Sequence, residues 1–124
     1  MMSGAKSMKI LIAEDDELIG ELLGEILVEM GHVVCAIEST ETGTVNAALQ
    51  FQPDLMIVDS QLSPGSGIDA VDRIIQTRPV AHILVSGNIA SVRERRPDAI
   101  MLQKPYTRLS LASAILRASE AHVE

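Results

Sequence analysis

Carboxylates, one lysine and one hydroxyl are the side chains of this chain best placed to do chemistry. Glu14, Asp15, Asp16 and Glu17 stand in a row after the apolar run Ile10-Leu11-Ile12-Ala13. Asp59 closes Leu55-Met56-Ile57-Val58, Ser86 closes His82-Ile83-Leu84-Val85, and Lys104-Pro105 comes just after Ile100-Met101-Leu102. Carboxylates brought together repel one another, and a cluster of them persists only with a cation or a proton to relieve it. An all-oxygen set with no cysteine or histidine beside it suits a hard divalent ion such as Mg2+, with Mn2+ as a substitute, rather than zinc. Beside such an ion a carboxylate can receive a phosphoryl group as an acyl phosphate, while a lysine and a hydroxyl engage the phosphoryl oxygens.

Alone, each residue has a plainer reading. Acidic residues are favoured at helix N-termini, a single lysine is usually a surface charge, and a serine often forms a turn. The chemical reading therefore depends on elements that bring these positions together.

Apolar periodicity supplies those elements. Short runs at residues 9–13, 33–37, 55–58, 82–85 and 99–102 read as buried strands. Between them, Leu18, Ile19, Leu22, Leu23, Ile26, Leu27 and Met30 recur at helical spacing before Gly31, and residues 40–51, 68–77 and 90–96 predict three further helices. Pro53 breaks the second helix, and Thr107 can cap a last one whose apolar face includes Leu111, Ala112, Ile115 and Leu116. Strands alternating with helices across short loops predict an α/β fold with a five-stranded parallel sheet covered on both faces, a three-layer sandwich. In such sheets, ligands bind beyond the carboxyl ends of the strands, which is where Asp15, Asp16, Asp59, Ser86 and Lys104 fall.

The set Glu14-Asp15-Asp16-Glu17, Pro53-Asp54-Leu55 leading to Asp59, Ser86-Gly87 and Lys104-Pro105-Tyr106 resembles the receiver domains of response regulators, in order and in placement on five successive units. The resemblance runs from Met8 to about Ala118. It implies a (βα)5 flavodoxin-like sandwich with strand order 2-1-3-4-5, and Asp59 as phosphoacceptor. It also implies Asp15 and Asp16 as the acid pair holding Mg2+ with Asp59 and the Gln61 backbone carbonyl, Lys104 as the phosphoryl-contacting lysine, and Ser86 as the switch hydroxyl. Pro105 matches the proline usually joined to that lysine by a cis peptide; Asn88 and Gln61 match positions bordering the phosphoryl group. The implied activity is acceptance of phosphoryl from a histidine kinase or a histidine phosphotransfer protein, followed by altered binding of a downstream partner, a phosphorylation-dependent dimer included. Such a domain assists its own phosphorylation and dephosphorylation but turns over no external substrate.

The sequence departs from the family pattern in places. The proline usual four residues after the acceptor is displaced to Pro64, with Ser63 before it, although Gly67 keeps the family's glycine position. Met101 stands where many receivers have an aromatic that rotates with the switch hydroxyl, so relay must use loop backbone or Met101 itself. Gly87 and the short fourth helix are features of some stand-alone receivers. Two other classes share parts of this pattern: aspartate-dependent Mg2+ phosphohydrolases, which place the nucleophile after the first strand, and phosphorylation-independent or flavin-binding modules of the same fold.

Composition narrows the rest. With 124 residues the chain fits one domain, residues 8–124, preceded by a polar lead-in over residues 1–7. A net charge of -7 disfavours direct nucleic-acid binding, which requires neutralising phosphates. One cysteine, Cys35, permits no internal disulfide, and no apolar run is long enough for a membrane span; a cytoplasmic setting is expected. Cys35 reads as a small strand hydrophobe, Tyr106 as a packing residue for the last helix, and the run Arg93 to Arg96 as a solvated helix face. His32, His82 and His122 are too scattered for a metal site. Gly65-Ser66-Gly67 lacks the lysine-serine pair of a phosphate loop.

Overall fold

A computed structural model describes residues 6–121; the first five residues of the expected lead-in and His122 lie outside that range. Strands and helices alternate through the chain: β1 (Lys9–Ala13), α1 (Glu17–Glu29), β2 (Val33–Glu38), α2 (Glu41–Phe51), β3 (Leu55–Asp59), α3 (Gly67–Thr77), β4 (Ala81–Ser86), α4 (Ile89–Arg95), β5 (Ile100–Gln103) and α5 (Arg108–Ala121). All strand pairings are parallel, in the order β2-β1-β3-β4-β5. This is the expected sandwich.

Side chains of a strand alternate between its faces. Ile10, Ile12, Leu55, Ile57, Ile83 and Val85 pack on one side against Leu23 and Leu27 of α1 and Leu111, Ala114 and Ile115 of α5. Leu11, Met56, Val58 and Leu84 pack on the other against α2, α3 and Val92 of α4. Because β1, β3 and β4 are covered on both faces, their runs are apolar throughout rather than alternating.

Helix starts are fixed by side-chain caps. Asp16, Thr40, Ser66 and Asn88 accept from the backbone N–H three residues on, and Thr107 and Ser110 exchange hydrogen bonds at the head of α5. Gly31, at φ +98°, takes the left-handed turn that ends α1.

Two helices turn differently from expectation. In α1, Gly20, Leu23, Gly24 and Leu27 are buried, while Leu18 and Leu22 are 65% and 49% exposed. The glycines let the helix backbone approach the sheet, since a Cβ on Gly20 would stand 3.0 Å from Ile37 Cγ2. Periodicity weighted by large apolar residues points the wrong way there. In α5, Leu111 and Ile115 face the core as expected, but Ala114 and Ala118 complete the stripe, and Leu116 is exposed.

The arginine run is also less free than a solvated face. Arg95 pairs with Asp69 and Asp72 at 2.8 Å each, and Arg96 pairs with Asp72 at 2.9 Å, which ties α4 to α3.

Candidate functional site

The carboxyl ends of β1, β3, β4 and β5 gather the acidic run, Asp59, Ser86 and Lys104. Register does much of this: Asp59 lies opposite Val85, so Ser86 is one residue further along β4, and the Lys104 N–H donates to the Ser86 carbonyl at 2.9 Å. Asp59 is buried, and its two carboxylate oxygens are both engaged. Oδ1 accepts the Gln61 N–H at 2.9 Å, and Oδ2 accepts from the Lys104 ammonium.

Glu14 joins them. It is 7% exposed, its Oε1 lies 3.7 Å from Lys104 Nζ, and its Oε2 accepts the Asp16 N–H at 3.0 Å. Burial pushes its carboxyl above the usual glutamate range; the Asp16 N–H opposes this, and the nearby charge of Asp59 adds to it. Burial pulls the Lys104 amine down, but the hydrogen bond and charge of Asp59, followed by the charges of Glu14 and Asp15, hold it above its ordinary value. One ammonium thus serves two buried carboxylates.

Asp15 and Asp16 are both exposed, and they separate in role. Asp16 uses Oδ1 to accept the Ile19 N–H at 3.2 Å as the cap of α1, which departs from the expectation that it belongs to the acid pair. Sequence reasoning singled out the row of acids but passed over Glu14. What sets it apart shows only in the fold: Glu14 is the first residue after β1, and its N–H still donates to Glu38 of β2, so its side chain starts inside the sheet rather than in the loop.

Ser86 is buried, and its Oγ accepts the Asn88 N–H at 2.9 Å. Asn88 in turn caps α4, its Oδ1 accepting the Ser91 N–H at 3.3 Å. Gly87 has open space around it, since a Cβ built there meets nothing within 4 Å. Met101 is half-buried against the cluster that contains Leu84 and Val92, and Tyr106 packs against the α5 side of the core. Lys104-Pro105 is a cis peptide, as is Ser63-Pro64. Cys35 donates its thiol to the Ile10 carbonyl at 3.4 Å, and burial raises it, as suits an inert strand residue.

The loop after β3 closes tightly on Asp59. Gln61 bridges to Ser66, and the Gly67 N–H donates to the Ser60 carbonyl at 3.0 Å. Gly67 passes so near the strand that a Cβ there would fall 1.8 Å from the Asp59 carbonyl oxygen. No side chain larger than hydrogen fits at that position without moving the loop.

The donors available to a cation are all oxygen: Glu14, Asp15, Asp59 and the Gln61 carbonyl. Among the described residues no three acidic, histidine or cysteine side chains are already gathered as a metal cage. A surplus of buried carboxylate over ammonium nevertheless fits Mg2+, which keeps several waters and takes only one or two carboxylates.

A parallel α/β sandwich with a carboxylate and lysine meeting at its strand ends defines the class of protein. The sequence matches the response regulator receiver domain family over residues 10–115, and the chain belongs to that family, the receivers of two-component signalling. It is 33% identical over 112 residues to the transcriptional regulatory protein PdtaR of Mycobacterium tuberculosis, covering 86% of this chain and 54% of that protein. It is 30% identical over 118 residues to the DNA-binding transcriptional regulator NtrC of Azospirillum brasilense, covering 88% of this chain and 24% of that one. The solution structure of the Erythrobacter litoralis PhyR response regulator REC domain has a TM-score of 0.83 and 28% identity, covering 90% of this chain and 89% of the other. The chain spans about half the length of PdtaR.

Proposed function

We propose that this receiver domain takes a phosphoryl group onto Asp59 from a histidine kinase or a histidine phosphotransfer protein and alters the binding of a downstream partner. The observation that carries this reading is the meeting of the Lys104 ammonium with Asp59 beside a second buried carboxylate, Glu14. A carboxylate oxygen of Asp59 forms the new bond to phosphorus as the phosphorus–nitrogen bond of the donor phosphohistidine breaks and the imidazole leaves. Lys104, on its flexible stem, follows the charge from the carboxylate to a phosphoryl oxygen.

Asp15, Asp59 and the Gln61 carbonyl would hold Mg2+ or Mn2+, with Glu14 behind them, and the cation would neutralise charge on the transferring group. Asp16 keeps its place at the helix cap. The domain's own chemistry is limited to gaining and losing this phosphoryl group. A phosphohydrolase reading has less support, because the carboxylate that hydrogen-bonds to Lys104 ends β3, while Glu14, the residue after β1, stands farther off at 3.7 Å.

The readout passes through Ser86. If its hydroxyl turns toward a phosphoryl oxygen and away from Asn88, the Asn88 N–H loses its acceptor at the head of α4, the helix whose Val92 shares a cluster with Met101. This relay needs no aromatic at position 101. The net charge of -7 favours a protein partner over nucleic acid. A cytoplasmic setting agrees with the lone cysteine, and no helix among the described residues is long and apolar enough to cross a membrane.

The test is transfer from a radiolabelled phosphohistidine protein. Label should pass to the wild-type domain and not to Asp59→Asn. Equal labelling of both, or of neither by any histidine donor, would contradict the assignment.

A further inference from the structure

We propose that Glu41, the first residue of α2, is a positioning residue that holds the Gln61 backbone in place at Asp59. The inference rests on reading Asp59 as the acceptor and the Gln61 carbonyl as a cation ligand. Glu41 is remote in sequence from both, yet two contacts tie it to the loop after β3 and a third ties it to α3. Its Oε1 accepts the Ser66 N–H at 3.0 Å, its Oε2 accepts from Arg73 Nη1 of α3 at 3.0 Å, and its own N–H donates to the Pro64 carbonyl at 3.1 Å.

Gly65 adds an independent sign that the loop is fitted to this side chain. It sits at φ +101°, and a Cβ there would come within 2.3 Å of Glu41 Cβ. The connection then runs inward: Ser66 bridges to Gln61, and the Gln61 N–H donates to Asp59 Oδ1. The Glu41 side chain is 19% exposed, so its hydrogen bond to the loop is largely shielded from water. A carboxylate that fixes Ser66 therefore fixes the strand-like pair Gln61–Ser66, and with it the direction of the Gln61 carbonyl.

The experiment compares wild type, Glu41→Ala and Glu41→Gln by amide hydrogen exchange and by Mn2+ titration, following paramagnetic broadening of the Gln61 amide. Losing a charge-assisted bond should speed exchange at Ser66 and Gln61 about tenfold in Glu41→Ala and raise the Mn2+ midpoint roughly fivefold. Amides of β1 and β4 should exchange as in the wild type. Glu41→Gln keeps an oxygen for the Ser66 N–H and should stay within about twofold of the wild type in both measurements.

Unchanged exchange at Gln61 or an unchanged Mn2+ midpoint in Glu41→Ala would overturn the proposal. So would faster exchange spread evenly over core strands, which would mark a residue of general stability. A wild type that shows no Mn2+ effect would remove the cation ligand the proposal depends on. Normal Mn2+ and exchange behaviour in a domain that takes no phosphoryl group would instead count against the acceptor reading and leave Glu41 in its role.

Discussion

The buried carboxylate of Glu14 lies 3.7 Å from the ammonium of Lys104, which is at the same time given to Asp59. Two like charges and one opposite charge are therefore held at the ends of β1, β3 and β5. This arrangement holds one more carboxylate than ammonium.

On the proposed reading, removing Lys104 takes away the positive side chain that follows the phosphoryl group. Lys104→Ala should slow phosphorylation of Asp59 by acetyl phosphate about a hundredfold, as loss of one preorganised charge-stabilising group does in other sites. Lys104→Arg should recover little of this, because a planar guanidinium cannot replace a compact ammonium between two carboxylates. Initial rates at saturating Mg2+ read the effect.

Glu14→Gln should make the domain more stable and less responsive to cations. Glu14 is held above its ordinary value of 4.5, chiefly by burial, so the folded chain binds that proton more tightly than the unfolded one. Its contribution is full below 4.5 and is lost as pH rises through the raised folded value. Glutamine has no proton to lose and keeps an oxygen for the Asp16 N–H. The variant should gain about 1 kcal/mol over the wild type at neutral pH, with the gap closing in acid, by urea unfolding at several pH values.

Gly67→Ala tests the close approach of the loop to β3. With only 1.8 Å to the Asp59 carbonyl oxygen, the methyl group must push the loop away. A loss of roughly 3 kcal/mol in urea unfolding is expected, well beyond an ordinary surface substitution.

His32 should give the fold an acid sensitivity of its own. Its Nδ1 accepts the Met8 N–H at 3.1 Å, which requires the neutral ring, and burial lowers its pKa from 6.5. The unfolded chain therefore binds more protons here, and the contribution is present above 6.5 and lost as pH falls through the lowered folded value. His32→Asn, which retains an acceptor that does not titrate, should lose less stability than the wild type between neutral pH and about pH 5. Thermal unfolding across that range reads the difference.

The strands were legible in the sequence because a sheet covered on both faces demands short apolar runs, and five such runs are separated by helical spacing. The faces of α1 and α5 were harder. Gly20, Gly24, Ala114 and Ala118 make the close contacts, and small residues carry almost no apolar signal. Asp59, Ser86 and Lys104 could be placed because each ends or follows a strand. Glu14 was harder to separate from its acidic neighbours, since all four look alike until β1 is seen to end at Ala13 and Asp16 to cap the helix. Glu41 could not be found at all from spacing, because its partners Ser66 and Arg73 are distant in the chain and meet it only in the folded loop.

The central claim, that Asp59 is the acceptor, is tested most directly by intact-mass spectrometry of the purified domain after incubation with acetyl phosphate and Mg2+. The account predicts the addition of a single phosphoryl group that requires the cation and is absent from Asp59→Asn. A wild-type chain that stays unmodified, or an Asp59→Asn chain modified to the same extent, would contradict it.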